Sequence, residues 1–218
     1  MIRPYYDHDG VTIYHGDCRE VLPSVSGFDS IVTDPPYGID YGMAGGFSAE
    51  HGWASRRGAA EWDKQRPPRE VFDAIVQANV ATVVWGGNYF TDYLPPRMGW
   101  IAWDKGQRNF SLADFELAWT SENKAARCLV YPRGRAIQDG KQHPTQKPLW
   151  VMQQCFDYLE RGRKPLACVL DPFMGSGTTL KAAKDVGKRA IGIEIEERYC
   201  EIAAKRLSQG VLPMGQTA

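Results

Sequence analysis

From residue 166 to residue 194 the chain reads as an apolar run, the segment Asp171-Pro172-Phe173-Met174-Gly175-Ser176-Gly177-Thr178-Thr179, a helical stretch, a second apolar run and a closing Glu194. Few folds accommodate that order. Glycines at the carboxyl end of a strand let the backbone turn and let a ligand approach it, while an acid at the end of the next strand can accept both hydroxyls of a ribose. The step of 19 residues from Gly175 to Glu194 suits that geometry. The turn is GSG rather than GxGxxG, and no GxxxxGK[ST] is present, so a nucleoside ligand without phosphates is better supported than a dinucleotide or a triphosphate.

The same alternation runs through the rest of the chain. Strands are expected over residues 11–14, 28–33, 80–85, 101–103, 115–119, 128–131, 166–170 and 189–194, and helical stretches over 18–22, 68–79, 148–159, 178–186 and 196–207. Such an order predicts an α/β fold with a mainly parallel sheet covered on both faces. With 218 residues, 43% of them hydrophobic, one domain over residues 1–218 is expected. The apolar runs fall far short of the roughly 20 residues that span a bilayer. The start Met1-Ile2-Arg3-Pro4 has no leader pattern, so a soluble, cytoplasmic protein is expected, with no membrane partner. Cys18, Cys128, Cys155, Cys168 and Cys200 form no CxxC, and His8, His15, His51 and His143 have no ligand spacing. The cysteines are therefore read mostly as small buried apolar residues, and no metal is expected.

The formal net charge is zero, but its distribution is uneven. Residues 1–50 carry eight acids against two Lys/Arg, whereas residues 121–150 carry six bases (Lys124, Arg127, Arg133, Arg135, Lys141, Lys147) against Glu122 and Asp139, a local net of +4. A basic stretch of this kind suits nucleic-acid phosphates and equally a solvated loop surface.

The strand over 28–33 ends in Asp34-Pro35-Pro36-Tyr37-Gly38. Its two prolines forbid further central pairing. An acceptor carboxylate, a rigid turn with outward carbonyls and an aromatic face then lie within four residues. That set suits an exocyclic base amine, whose lone pair is delocalised into its ring: Asp34 and the Pro35 carbonyl accept its two hydrogens, and Tyr37 stacks on the base. No Pro-Cys dipeptide offers a covalent alternative. Residues 38–69 contain six glycines among many polar groups, the composition of a mobile functional loop. Gly16-Asp17 places one more carboxylate at a strand end, as an acceptor for an adenine amine or as a helix cap.

Taken in order, Asp34-Pro35-Pro36-Tyr37, His143-Pro144-Thr145-Gln146-Lys147-Pro148 and Asp171 to Thr179 resemble the permuted β group of DNA amino-methyltransferases, in which the DPPY motif precedes the cofactor motif. Trp85-Gly86-Gly87-Asn88-Tyr89-Phe90 and Trp100-Ile101-Ala102-Trp103-Asp104-Lys105 look like that family's intermediate strands, so the resemblance spans about residues 11–207. It implies a Rossmann-like, doubly wound, mainly parallel seven-stranded sheet with one antiparallel edge strand. It also implies S-adenosylmethionine as cofactor and DNA as partner, with direct transfer to a flipped-out base. Asp34, Pro35, Pro36 and Tyr37 would be catalytic. Asp17, Cys18, Asp34, Asp171, Phe173, Gly175, Ser176, Gly177, Thr178, Thr179 and Glu194 would line the cofactor site, with Thr145 and Lys147 on the methionine carboxylate. DPPY in this group implies adenine N6, with cytosine N4 the alternative; RNA methylation or a non-catalytic DNA-binding module are the remoter ones.

One departure is size. Only residues 120–142 are available for target recognition, which implies a short or relaxed site read by Arg127, Arg133, Arg135 and Lys141 with the 38–69 loop closing over DNA. Small members of the group often pair as homodimers.

Overall fold

The structure, a computed structural model, describes residues 2–39, 65–108, 113–132, 134–135 and 146–208. Among the described residues, nine strands form one sheet in the order β1-β2-β9-β8-β3-β4-β6-β5-β7. They are β1 (Tyr6–His8), β2 (Val11–His15), β3 (Ser30–Thr33), β4 (Ala81–Trp85), β5 (Trp100–Asp104), β6 (Phe115–Thr120), β7 (Arg127–Val130), β8 (Cys168–Asp171) and β9 (Arg189–Glu194).

The expectation of seven strands with one antiparallel edge strand is corrected at both ends of this order. β1 is an additional edge strand, paired antiparallel to β2 through the two-residue turn Asp9-Gly10. Both turn residues have positive φ, 50° and 74°, the conformation that twists a hairpin in the hand of its strands. β7 is added at the other edge, parallel to β5. The antiparallel strand of the central seven, β6, is internal: it returns from β5 as a hairpin and inserts between β5 and β4.

Helices cover both faces. The α2 helix (Arg69–Gln77) turns Val71, Phe72 and Ile75 inward and, with α1 (Cys18–Val21), packs against Ile31, Val84, Leu170 and Ile193. On the opposite face α3 (Leu149–Glu160), α4 (Thr178–Asp185) and α5 (Glu197–Ser208) cover Val32, Val83, Val169 and Ala190. Neighbours such as Ile31 and Val32, or Val83 and Val84, thus point to opposite cores, which is why these strands read as unbroken apolar runs. Four of the five cysteines are buried, as expected of small apolar residues; Cys128, on the edge strand β7, is exposed. Trp85, Trp103 and Trp119 are core residues.

Helices α2 and α4 carry the chain away from β3 and β8 in opposite directions, β3 to β4 and β8 to β9, while β3 and β8 pair directly, Ile31 opposite Leu170. A crevice opens outside the carboxyl ends of two strands related in this way. Both sequence motifs lie there, Asp34 just after β3 and Asp171 at the end of β8. Among the described residues no helix is long and apolar enough to cross a membrane.

Candidate active site

The crevice is a cleft of about 1020 Å³, large for a single small ligand. One end is acidic. Asp17, Asp171, Glu194 and Glu196 line it, together with Cys18, Phe173, Gly175, Ser176, Thr178 and Thr179. Glu194 accepts the backbone N–H of Gly175 at 2.9 Å through one oxygen and that of Glu196 at 2.9 Å through the other, which leaves a lone pair on each. Burial raises its pKa against these bonds. A Cβ at Gly175 would meet nothing within 4 Å, so the turn faces open space in the cleft. Gly177 does not line the cleft: at φ 77°, a Cβ there would lie 2.9 Å from that of Ala203, and this glycine serves instead to seat α4 against α5.

Asp171 is buried beneath this end. Thr33 donates to it at 2.7 Å and the Phe173 N–H at 3.1 Å, and burial pushes its carboxyl up to about 6. The Thr33 bond ties the end of β3 to the end of β8, fixing the spacing between the two motifs. Asp17 caps α1 through the Arg19 N–H and holds the Arg19 guanidinium at 2.5 Å, which lowers its pKa. Four carboxylates against one already paired guanidinium would repel phosphates and suit a cationic, hydroxyl-bearing ligand. S-adenosylmethionine, a sulfonium nucleoside, fits that set of acceptors.

The other end holds Asp34, Pro35, Pro36 and Tyr37. Tyr37 donates to Asp34 Oδ1 at 2.6 Å and Lys147 Nζ to Oδ2 at 2.6 Å. Burial and the neighbouring Asp34 hold the Tyr37 hydroxyl in its neutral form. The Tyr37 ring is packed closely at Gly86, where a Cβ would come within 2.1 Å of it. It is also stacked on Tyr89. The expected base-stacking face is therefore occupied by Tyr89, itself 38% exposed and part of the cleft wall.

Lys147 differs most from its expected place on the cofactor's carboxylate. It is 5% exposed, and its Nζ meets Asp34, Glu116 at 2.9 Å and the Tyr37 oxygen at 3.2 Å, three partners for three donors. Glu116 in turn meets Lys105 at 2.7 Å. Burial would lower the Lys147 pKa, but Asp34 and Glu116 outweigh it and raise it well above the usual value.

Residues 64–205 match the N6/N4 methyltransferase family described as DNA methylase. The chain belongs to this DNA methylase family. It is 27% identical to the type II methyltransferase M2.LlaDCHI of Lactococcus lactis subsp. cremoris, with 96% of this chain and 94% of that protein aligned. A crystal structure of the M1.HpyAVI–SAM complex is similar at TM-score 0.57 and 26% identity, covering 90% of this chain and 99% of that one. The cytosine-N4-specific PvuII DNA methyltransferase shares the fold, at TM-score 0.60, 15% identity and coverage of 96% and 90%. The methylase's sheet is the mostly parallel, Rossmann-like sheet of S-adenosylmethionine-dependent methyltransferases.

Among the described residues, the bases of the 121–150 stretch do not form one surface in this methylase. Lys147 is interior, and Lys124 pairs with Glu122 at 3.1 Å. Because β7 runs parallel to β5, Arg127 at its start lies at the end of the sheet opposite the cleft, beside a separate hollow of about 240 Å³ that it lines with Trp150 and Arg161. Arg135, beyond the carboxyl end of β7, lies over the Tyr131 ring. Arg133, Lys141, His143, Thr145 and most of the 38–69 loop lie outside the described residues. Among the described residues no group of three or more His, Cys, Asp or Glu side chains could hold a metal.

Sequence reasoning missed Glu116, Lys105 and Tyr89. A glutamate at the second position of the apolar run 115–119 was the available signal for Glu116, but period alone did not say which end of the sheet it would reach.

Proposed function

We propose that this methylase transfers a methyl group from S-adenosylmethionine to the N6 amino group of adenine in DNA, acting on a base turned out of the duplex. The observation that carries this reading is Asp34 with Pro35 at the carboxyl end of β3, bound through Thr33 to the acidic nucleoside end at Asp171. Each Asp34 oxygen already accepts one hydrogen bond and keeps a lone pair. Asp34 and the Pro35 carbonyl can therefore take the two amine hydrogens, turning the nitrogen lone pair out of the ring system and toward the acidic end. The cofactor supplies a methyl group on a sulfonium, whose broken bond leaves its electron pair on sulfur. The nitrogen, having gained the methyl group, releases one proton, which Asp34 is placed to accept.

Glu194 is assigned to the ribose hydroxyls, and Gly175 and Ser176 to the wall beside them. Turning the base out costs a few kcal/mol, which contact with the aromatic wall of Tyr89 and Tyr37 helps to offset. The order of motifs, DPPY before the glycine turn, supports the permuted β group and with it adenine. The same two acceptors would also serve cytosine N4.

The test is incubation with methyl-labelled S-adenosylmethionine and unmodified duplex DNA, followed by digestion to nucleosides and mass analysis. Labelled N6-methyladenine is expected. N4-methylcytosine would replace the base, and bound cofactor with no label in DNA would reject the substrate.

A further inference from the structure

Lys105, Glu116, Lys147 and Asp34 form a continuous row of alternating charge, with contacts of 2.7, 2.9 and 2.6 Å. Four separate parts of the chain supply it: the residue after β5, the second residue of β6, the residue before Pro148 at the start of α3, and the residue after β3. Two ammoniums and two carboxylates sum to zero, which lets Lys147 remain charged in the interior. The rings of Trp85 and Tyr37 flank its Nζ at 5.5 and 5.6 Å. Methyl transfer as described above uses only Asp34 of the four.

We propose that Glu116 is a positioning residue for methyl transfer: backed by Lys105, it shares the charge of Lys147 and so sets how strongly Asp34 accepts hydrogens from the target amine. The inference rests on the reading of Asp34 as that acceptor. A carboxylate paired alone with a buried ammonium is a weak acceptor, because its charge is already met. Dividing Lys147 between two carboxylates leaves part of the Asp34 charge for the amine and for the proton the amine sheds. Glu116 itself stays ionised: burial would raise it, but Lys147 and Lys105 outweigh burial and hold it down at about 2. Asp34 also faces the Tyr37 hydroxyl and, at longer range, Asp171 of β8 and Cys155 of α3.

The two flanking charges act on Asp34 with opposite sign, and this separates positioning from mere packing. Removing the Glu116 charge leaves Lys147 wholly to Asp34 and lowers the pKa of Asp34; removing Lys105 leaves the Glu116 charge less compensated, draws Lys147 toward it and raises the pKa of Asp34. The experiment uses the full chain as wild type, Glu116→Gln and Lys105→Gln. It measures kcat against pH with saturating S-adenosylmethionine and unmethylated genomic DNA, and cofactor affinity by calorimetry. Glu116→Gln is expected to lower kcat at neutral pH about tenfold and to move the acid limb to lower pH. Lys105→Gln should move that limb to higher pH, with cofactor affinity unchanged in both. Limbs that stay still or move together overturn the proposal, as does weakened cofactor binding with unchanged kcat in Glu116→Gln, which would return Lys147 to the cofactor. Should Glu116→Gln not fold, the Lys105→Gln limb decides: upward supports the proposal, unmoved overturns it. Wild type that labels no DNA rejects the parent reading, whereas an active wild type with unmoved limbs rejects only the role of Glu116.

Discussion

The rings of Tyr37 and Tyr89 are stacked with centroids 4.9 Å apart and planes inclined by 16°. On the proposed reading, a base entering the cleft either stacks on the outer side of Tyr89 or displaces it from Tyr37. Stacking of a base on an aromatic ring contributes roughly 1–3 kcal/mol. Tyr89→Ala is expected to raise KM for DNA about tenfold or more while leaving cofactor affinity unchanged, as read by steady-state kinetics and calorimetry. An unchanged KM would show that Tyr89 takes no part in receiving the base.

Gly86 tests the same wall from behind. Its φ of 68° is costly for an L-residue, and a side chain there would overlap the Tyr37 ring. Gly86→Ala should therefore lose most turnover by displacing Tyr37 from Asp34, with cofactor binding retained because the glycine lies away from Glu194. Full activity in this variant would mean that the Tyr37 position is not required.

Asp171 makes stability depend on pH in an unusual direction. Burial pushes its carboxyl from the ordinary 3.8 up to about 6, so the folded protein holds a proton over that interval that the unfolded chain has released. The contribution is present below pH 3.8 and is lost as pH rises through about 6, to a total of roughly 3 kcal/mol. Asp171→Asn keeps an acceptor for Thr33 and removes the titration. Its Tm relative to wild type should rise between pH 4 and pH 8; a difference constant with pH would refute the assignment.

Phe72 anchors α2 to the sheet, fully buried beside Phe90, whose ring centroid is 4.5 Å away. Phe72→Ala should cost about 3–5 kcal/mol in denaturant unfolding, since the cavity cannot close without moving the helix. A loss under 1 kcal/mol would indicate that α2 collapses onto the space.

Arg127 and Arg135 were equivalent in the sequence and lie at opposite ends of the sheet. Arg135→Glu should weaken DNA binding at low salt more than Arg127→Glu, and should reduce the salt slope by about one. Equal effects would place DNA over both ends of the molecule.

The alternation of strands and helices was legible because residues such as Val83 and Val84 are buried on both faces, and unbroken apolar runs bounded by turns give this away. The three-residue strand β1 was missed even though Asp9-Gly10 is a strong hairpin signal, because Tyr6-Asp7-His8 carries no apolar alternation. Asp34, Asp171 and Glu194 were legible as acids at strand ends. Lys147 and Glu116 were not understood as partners, since their meeting depends on β6 running backwards between β4 and β5, a pairing that local sequence does not encode. For the same reason Arg127 was grouped with Arg135: a charge count over 121–150 has no knowledge of strand direction.

Because β6 is reversed, its first residues rather than its last join the site, and the chemistry is confined to one end of the sheet. The turns at Asn79, Gly162 and Gly187, which precede β4, β8 and β9, are all at the other end. A Cβ at Gly162 or Gly187 would meet nothing within 4 Å. Those turns are where a tag or targeting module can be inserted with the methylating end left in place.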